Sequence, residues 1–271
     1  MVKKNVLYKI NGHSDRCGFF CMFSSVISYL YNEKDNVYIH WENNLYDKSK
    51  NNILDFIFYQ DYPKNYDFID ESDTRYWSSD IKKYFDLRPN TRPELIKEFN
   101  DKFWGIFSVS KDLLVKINEL NYLKKDVKTL AVHIRRSDIL SETYFNKYIK
   151  WDVNDLNYYY EKIKNEFEEG GYEKIFLCTE DKNIVEFLKD KFSDVIFYQK
   201  DVYRVKNDII NNNTSMSSIY NENGKELLLS LMTDVLFASK CEGFLGTEFS
   251  GVSIFIEVFN NNDFKKINYF K

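Results

Sequence analysis

One run of nine residues constrains the fold of this chain more than any other. Residues 130–138 read Leu-Ala-Val-His-Ile-Arg-Arg-Ser-Asp. The apolar start of the run is typical of a strand buried in a parallel sheet. Its polar end then lies where open α/β sheets bind ligands, and two adjacent guanidiniums could hold a phosphate there. The alternative is a strand end whose arginines pair with nearby carboxylates, and the residues by themselves leave both interpretations open.

Strand and helix patterns alternate on both sides of this run. Strands at 5–10 and 37–41 flank a helical pattern at 22–30, and this βαβ order implies a parallel sheet. Two helices are predicted from Pro93 to Leu120, whereas 43–90 shows no periodicity. Later helices are predicted at 152–167, 183–192, 225–240 and 251–259, alternating with strands at 129–134, 174–179, 195–198 and 243–246. We therefore expect an α/β fold whose second half is doubly wound.

Composition excludes several classes of protein. With 271 residues, 44% hydrophobic and 30% charged, the chain is long and apolar enough for a sizeable core. A net charge of −4 argues against a general nucleic-acid binder. We predict no membrane span and no secretory signal, because the apolar stretches are short and the first ends at Lys9. Four cysteines and three histidines without zinc spacing predict reduced thiols, no metal site and a cytoplasmic protein.

Two further segments carry a family resemblance. Residues 16–21 read Arg-Cys-Gly-Phe-Phe-Cys, and residues 241–253 read Cys-Glu-Gly-Phe-Leu-Gly-Thr-Glu-Phe-Ser-Gly-Val-Ser. Together with the His-x-Arg-Arg-x-Asp motif, and in the same order, they resemble the core α1,6-fucosyltransferases and the rhizobial nodulation fucosyltransferase. The α1,2 and protein O-fucosyltransferases are similar more distantly. The resemblance covers residues 5–42 and 128–258.

The resemblance implies an architecture and an activity. It implies a GT-B-like fold of two Rossmann-like halves, 1–125 on the acceptor side and 126–271 for the nucleotide sugar, with a cleft between them. The expected activity is inverting transfer of fucose from GDP-fucose to a glycan or glycoconjugate, with no cofactor beyond the donor substrate. No Asp-x-Asp-like metal motif precedes the arginines, so we expect a metal-independent reaction.

The motif supplies the residues expected at the donor phosphates. The resemblance gives Arg135 the greater catalytic weight, with Arg136 beside it. His133 would face the same phosphate or the ribose, or else be satisfied by backbone groups. Asp138 is expected to orient one of the arginines.

The expected general base is Glu142. The related enzymes carry their proposed base in a Thr-Glu-x-x-Phe setting shortly after the arginine pair, and residues 141–145 here read Ser-Glu-Thr-Tyr-Phe. The match is displaced by one position, and Ile139 stands where those relatives have a lysine. A loop carboxylate of this kind is otherwise most often just solvated, so that alternative stays open.

Three carboxylates are candidates for the nucleoside. Glu180 and Asp181 follow a strand and could accept hydrogen bonds from guanine or ribose, or Asp181 could cap the next helix. Asp234 precedes Ser250 by about the interval that separates the guanine-contacting Asp from the donor-site serine in the relatives. It lies in an otherwise apolar helix, so its carboxylate needs a partner.

The remaining expected donor contacts come from two turns. A helix N-terminus after the last predicted strand would offer N–H groups to phosphate. The residues concerned are Thr247, Ser250, Gly251 and Val252, with Cys17 and Gly18 in the first turn of the chain.

Two other functions stay open at this point. Because the arginine motif recognises phosphate rather than fucose, the donor could be another GDP-sugar or UDP-GlcNAc. The protein could also be a non-catalytic glycan- or nucleotide-binding module on the same fold. The acceptor, the linkage and the oligomeric state are not determined by the sequence.

Overall fold

The computed structural model describes most of the chain. The described residues are 4–11, 19–20, 23, 29, 36–42, 50–70, 93–136, 152–200, 202, 204, 216–248, 250–261 and 263–270. They form two compact units, one of Met1–Lys116 with Met216–Met232 and the other of Ile117–Ser215 with Thr233–Lys271. The domain boundary expected at residue 125 stays a prediction. Among the described residues, no helix combines the length and apolarity that a membrane crossing requires.

The first unit contains a small parallel sheet. Its described strands are β1 (Asn5–Asn11), β2 (Asn36–Glu42) and β4 (Asp67–Asp70), in the order β2-β1-β4. A second, antiparallel pair joins β3 (Phe58–Gln60) to β5 (Phe107–Val109). The structure also describes α1 (Leu54–Ile57), α2 (Pro93–Ile106) and α3 (Lys111–Lys124) here, and α3 continues into the second unit. Pro93 begins α2, as expected for a residue without a backbone N–H.

Strand β2 lies at an edge of this sheet, and side-chain amides cover it. Ile39 donates its N–H to Gln60 Oε1 over 3.0 Å and accepts from Gln60 Nε2 over 2.8 Å. The N–H of Trp41 is bonded to Asn52 Oδ1 at 2.9 Å. These bonds satisfy backbone groups that an edge strand would otherwise offer to another chain.

The second unit is a doubly wound α/β domain with one parallel sheet. Its described strands are β6 (Thr129–Ile134), β7 (Lys174–Thr179), β8 (Ile196–Phe197), β9 (Gly243–Thr247) and β10 (Lys266–Phe270). Their spatial order is β10-β9-β6-β7-β8, and all are parallel. The chain therefore winds outward from β6 to β8, crosses back and continues with β9 on the other side. This is the dinucleotide-fold order, whose reversal point lies between β6 and β9.

Helices pack on both faces of this sheet. They are α4 (Leu156–Gly170), α5 (Lys182–Phe192), the part of α6 (Met216–Ala238) that begins at Thr233, and α7 (Gly251–Asn260), with a 3₁₀ turn at Ser193–Val195. Leu130, Val132 and Ile134 of β6 belong to one core cluster with side chains of α4 and α5. Phe176 of β7 instead contacts Phe237 of α6, with ring centroids 4.5 Å apart. The α/β class predicted from the sequence is thus confirmed.

The structure differs from the sequence prediction at several elements. Helix α1 and strands β3, β4 and β5 were not predicted. Two further differences lie later in the chain. Helix α6 begins at Met216, within a stretch predicted as a polar loop, because Ser and Asn cost a helix only a few tenths of a kcal/mol each, roughly. Strand β10 was missed, since its sequence Lys-Ile-Asn-Tyr-Phe mixes polar and apolar residues and most of its side chains are only partly buried. Its pairing with β9 makes it a strand.

Tyr172 occupies a space that exists because two neighbouring residues lack a side chain. The buried ring lies against Gly170 and Gly243, and a Cβ on either glycine would overlap it. Gly243 is the first residue of β9. The contact therefore packs the start of β9 against the turn that precedes β7.

We predict that Gly243→Ala lowers the free energy of unfolding by about 1–3 kcal/mol, because the added methyl overpacks a filled site. Urea denaturation would measure the change. Gly105→Ala is the matched control, since nothing lies within 4 Å of its added Cβ and it lies in α2. Its stability should stay unchanged or rise by up to about 1 kcal/mol. Equal losses in both variants would contradict the packing argument.

Candidate functional site

The carboxyl ends of β6 and β9 form the centre of the candidate site. The two strands are in register only as far as Val132 opposite Leu245. Beyond that pair, the hydroxyl of Thr247 on β9 connects them. Thr247 Oγ1 accepts from the N–H of Arg135 at 3.0 Å and donates to the carbonyl of His133 at 3.1 Å. This is the reversal point of the sheet, where doubly wound folds bind their ligands.

His133 connects β6 to the helix that follows β9. The residue is buried, and its Nδ1 lies 2.8 Å from the hydroxyl of Ser253 in the first turn of α7. Ser253 is itself fully buried. The sequence left open whether His133 contacts the donor; the structure pairs its ring with Ser253, and a donor contact stays a prediction. Ser253 closes the segment that carries the resemblance, but as a small residue inside a helix it offered no signal of this role.

The N-terminus of α7 is suited to bind an anion. Ser250 is the N-cap residue, but its hydroxyl makes no capping bond. That hydroxyl oxygen is buried and has no hydrogen-bond partner among the described residues. The first N–H groups of a helix, here those of Gly251, Val252 and Ser253, have no partner within the helix and carry partial positive charge. An anion bound there would satisfy both the N–H groups and the serine.

Arg135 and Ser250 are anchored on the same residue. The N–H of Ser250 donates to the carbonyl of Thr247 at 3.3 Å, and the side chain of Thr247 holds the N–H of Arg135. Arg135 is partly exposed. Because alternate side chains of an extended chain face the same side, Arg135 lies on the same face as His133. The structure therefore brings together Arg135, His133, Thr247 and the start of α7.

Arg136 is engaged on the opposite side of β6. Its buried guanidinium forms an ion pair with Asp181 through Nη1 and donates from Nε to the carbonyl of Val153 at 2.7 Å. Nη2 lies 3.4 Å from Asn154 Oδ1. The strand-end ion pair that the sequence allowed as an alternative is the arrangement found here. A phosphate contact by Arg136 stays a prediction.

Asp181 also has the structural role that the sequence allowed. It is the N-cap of α5, where its Oδ1 accepts from the N–H of Asn183 at 2.8 Å. Glu180 accepts from the backbone N–H of Arg136 at 3.3 Å. Both carboxylates thus stabilise the turn after β7, and their contact with a nucleoside stays a prediction.

Asp234 has the partner that its apolar surroundings require. Gln199, which follows β8, donates from Nε2 to Asp234 Oδ1. Burial raises the pKa of Asp234 to about 7, while the bond from Gln199 and the nearby charge of Arg204 act to lower it. Arg204 in turn donates to the backbone carbonyl of Gln199 at 2.6 Å. Neither Gln199 nor Arg204 was singled out from the sequence, because nothing local marks a glutamine or arginine in a loop.

Some predicted residues cannot be placed. Cys17, Gly18, Asp138 and Glu142 lie outside the described residues, and their roles stay predictions. Among the residues that are described, no group of three or more His, Cys, Asp or Glu side chains is arranged to hold a metal ion.

Comparison with known proteins bears on the fold. No protein-family model matches the sequence, and none of the curated proteins matches it. The structure is similar to NodZ alpha-1,6-fucosyltransferase soaked with GDP-fucose, with a TM-score of 0.54 and 12% identity over 95% of this chain and 93% of that chain. For NodZ from Bradyrhizobium the TM-score is 0.53 and the identity 13%, over 94% and 92% of the two chains. At this identity the likeness establishes the fold, and it confirms the fucosyltransferase-like fold that the motifs indicated.

The two adjacent arginines should differ in their effect on stability. We predict that Arg136→Met lowers the free energy of unfolding by about 3–5 kcal/mol, because it leaves Asp181 buried without its cation. Arg135→Met should change it by about 1 kcal/mol or less, since Arg135 is partly exposed. Urea denaturation of both variants tests the contrast. Equal stability of the two variants would rule out a buried anchoring role for Arg136.

Asp234 should make stability depend on pH in a defined direction. Its folded-state pKa of about 7 lies above the ordinary value of 3.8. The folded protein therefore holds this proton more tightly, and stability falls as pH rises through the interval between these values. Asp234→Asn removes that loss, so its unfolding free energy relative to wild type should increase from about pH 5 to about pH 8. Burial also raises the pKa of Glu257. Because Glu257 is present in both the wild type and the variant, its contribution cancels in the difference between their unfolding free energies. A pH-independent difference would contradict the assignment.

Proposed function

We propose that this protein is a glycosyltransferase that moves fucose from GDP-fucose to a hydroxyl of a glycan or glycoconjugate. The observation that carries the proposal is the buried, unpartnered hydroxyl of Ser250 at the N-terminus of α7. Thr247 links Ser250 to Arg135 at the reversal point of the sheet, because it accepts a hydrogen bond from the backbone N–H of each residue. Buried polar groups normally have partners, so a lone hydroxyl at a helix N-terminus marks the place of an anionic ligand.

The proposed chemistry requires stabilisation of a leaving group. Transfer breaks the bond between C1 of the sugar and the β-phosphate oxygen, and negative charge grows on that phosphate. Arg135, the hydroxyl of Ser250 and the N–H groups of Gly251 and Val252 are the donors assigned to it. A well-placed donor lowers such a barrier by ~2.7–4 kcal/mol if oxyanion-hole magnitudes transfer.

The fold comparison supports the nature of the donor. One of the similar NodZ structures was soaked with GDP-fucose. Another, at a TM-score of 0.50 and 13% identity over 94% of this chain and 92% of that chain, was co-crystallized with GDP. By the sequence resemblance, Asp234 is assigned to the guanine. An aspartate in a largely apolar helix is unusual enough to require such a role or a dedicated partner.

The remaining parts of the proposal come from the sequence. Glu142 removes the proton of the acceptor hydroxyl, and one direct displacement inverts the configuration at C1. Arg135 and the N–H groups at the start of α7 take the place of a metal ion at the phosphates. We also propose that 1–125 and 126–271 are the acceptor-side and donor-side halves, and that the protein works in the cytoplasm. Two of its four cysteines, Cys178 and Cys241, are free thiols in the structure, which is consistent with a reducing compartment.

We predict that GDP and GDP-fucose bind more tightly than UDP, and that Arg135→Ala weakens GDP binding by about 10–100-fold, the value of a hydrogen bond to a charged group. Ser250→Ala should weaken it less, because a neutral donor contributes less. Isothermal titration calorimetry measures each affinity. Lys189→Ala, which removes an exposed charge from α5 in the same unit, is the control and should bind GDP like wild type.

Other outcomes identify the alternatives. Preference for UDP would indicate a different nucleotide sugar, and indifference to Arg135 would remove the proposed phosphate site. Binding of GDP-fucose without transfer or hydrolysis would indicate a non-catalytic module. Glu142→Gln is expected to keep GDP affinity and to lose transfer, because the residue acts only on the acceptor hydroxyl.

A further inference from the structure

Three residues from two elements form a connected polar cluster beside the carboxyl ends of β7 and β8. The members are Asp234 of α6, and Gln199 and Arg204 from the segment after β8. The amide of Gln199 donates to Asp234, and Arg204 donates to the main-chain carbonyl of Gln199 at 2.6 Å. Gln199 is therefore held at its side chain and at its backbone.

Arg204 is held in place as well. Its guanidinium carbon lies 5.1 Å from the centroid of the Tyr198 ring, within the range of a cation–π contact. Its Nε is buried and has no hydrogen-bond partner among the described residues. The charge of Arg204 acts on Asp234 and lowers the pKa of its carboxyl, against the effect of burial. Arg204 therefore favours the ionised form of Asp234.

This cluster is costly as a purely structural device. Apolar residues of similar volume usually stabilise a core as well as buried charges do, or better. Around Asp234 the helix is apolar, with Val235, Leu236 and Phe237 buried. A carboxylate in such a place can bind a ligand that supplies further hydrogen-bond donors, because those donors stabilise its ionised form. The bond from Gln199 goes to Oδ1, so Oδ2 is the oxygen that a ligand would contact.

We propose that Gln199 and Arg204 are positioning residues, which orient the Asp234 carboxylate to select a nucleobase with two adjacent N–H donors. Among the common nucleobases only guanine presents such an edge, with its N1–H beside its 2-amino group. Uracil offers one N–H between two carbonyls, and adenine and cytosine pair an amino group with an acceptor nitrogen. The inference rests on the proposed function, because it concerns the base of the same donor, and it adds two residues that determine its selectivity.

The experiment compares three ligands on matched variants. Isothermal titration, with competition for weak ligands, measures GDP, IDP and UDP; IDP keeps the diphosphate and N1–H but lacks the 2-amino group. The variants are Gln199→Met and Arg204→Met, which remove the donors, and Arg204→Lys, which keeps the charge. Lys200→Met, at the exposed neighbour of Gln199, is the control. Thermal melting monitors the fold of every variant.

We expect wild type to prefer GDP to both IDP and UDP. Gln199→Met and Arg204→Met should weaken GDP binding by about tenfold or more, with UDP affinity changed less than about twofold, because a hydrogen bond to a charged group is lost only for guanine. Arg204→Lys should recover most of the preference, and Lys200→Met should match wild type. A merely structural role would lower the affinity for all three ligands alike.

The outcomes that overturn the inference are separable from failure of the proposed function. If wild type prefers GDP but Gln199→Met and Arg204→Met keep the same GDP-to-UDP ratio, the positioning role is wrong and the proposed function stands. If wild type shows no preference for GDP, both are wrong. If Gln199→Met does not fold, the comparison of Arg204→Met with Arg204→Lys decides the question.

Discussion

The hydroxyl of Thr247 is the interaction on which the candidate site depends. It bonds to both the carbonyl of His133 and the N–H of Arg135, just where β6 and β9 leave register. The backbone of the same threonine holds Ser250 at the start of α7. One residue thus joins β6 to β9 at the reversal point of the sheet and anchors both Arg135 and the start of α7. The bond from His133 to Ser253 fixes the same helix from its buried side.

The arginine doublet combines two different physical roles. Successive side chains of an extended chain face opposite sides, so Arg135 follows the side of His133 and Arg136 the side of Ile134. On that second side Asp181 caps α5 and neutralises the buried guanidinium of Arg136. Arg136 therefore holds the turn after β7 against β6, and this leaves Arg135 as the arginine best suited to a ligand. The two arginines are adjacent in the motif, but they face opposite sides of the chain and therefore have different roles.

The carboxylates of Asp181 and Asp234 have different kinds of partner. Asp181 has a full cationic partner, whereas Asp234 has an amide donor and a more distant arginine. The first arrangement satisfies the carboxylate within the protein, and the second leaves it capable of accepting further donors. This difference supports the proposed contact between Asp234 and the nucleobase, which was first suggested by the sequence resemblance. Burial raises the pKa of Asp234 to about 7, and the bond from Gln199 and the charge of Arg204 oppose that rise only in part.

The sequence by itself determined the α/β class, the strand at 129–134 and the carboxyl-end position of its polar residues, because periodicity and local apolar content are local properties. It also indicated Ser250 and Arg135 through their motifs. Tertiary structure decided the rest. The partners of Arg136 and Asp234, the role of Ser253 and the pairing of β10 join residues far apart in the chain, whose meeting depends on strand order and helix packing. The role of a side chain at the carboxyl end of a strand depends on the neighbours that the fold places beside it. No local sequence pattern encodes those neighbours.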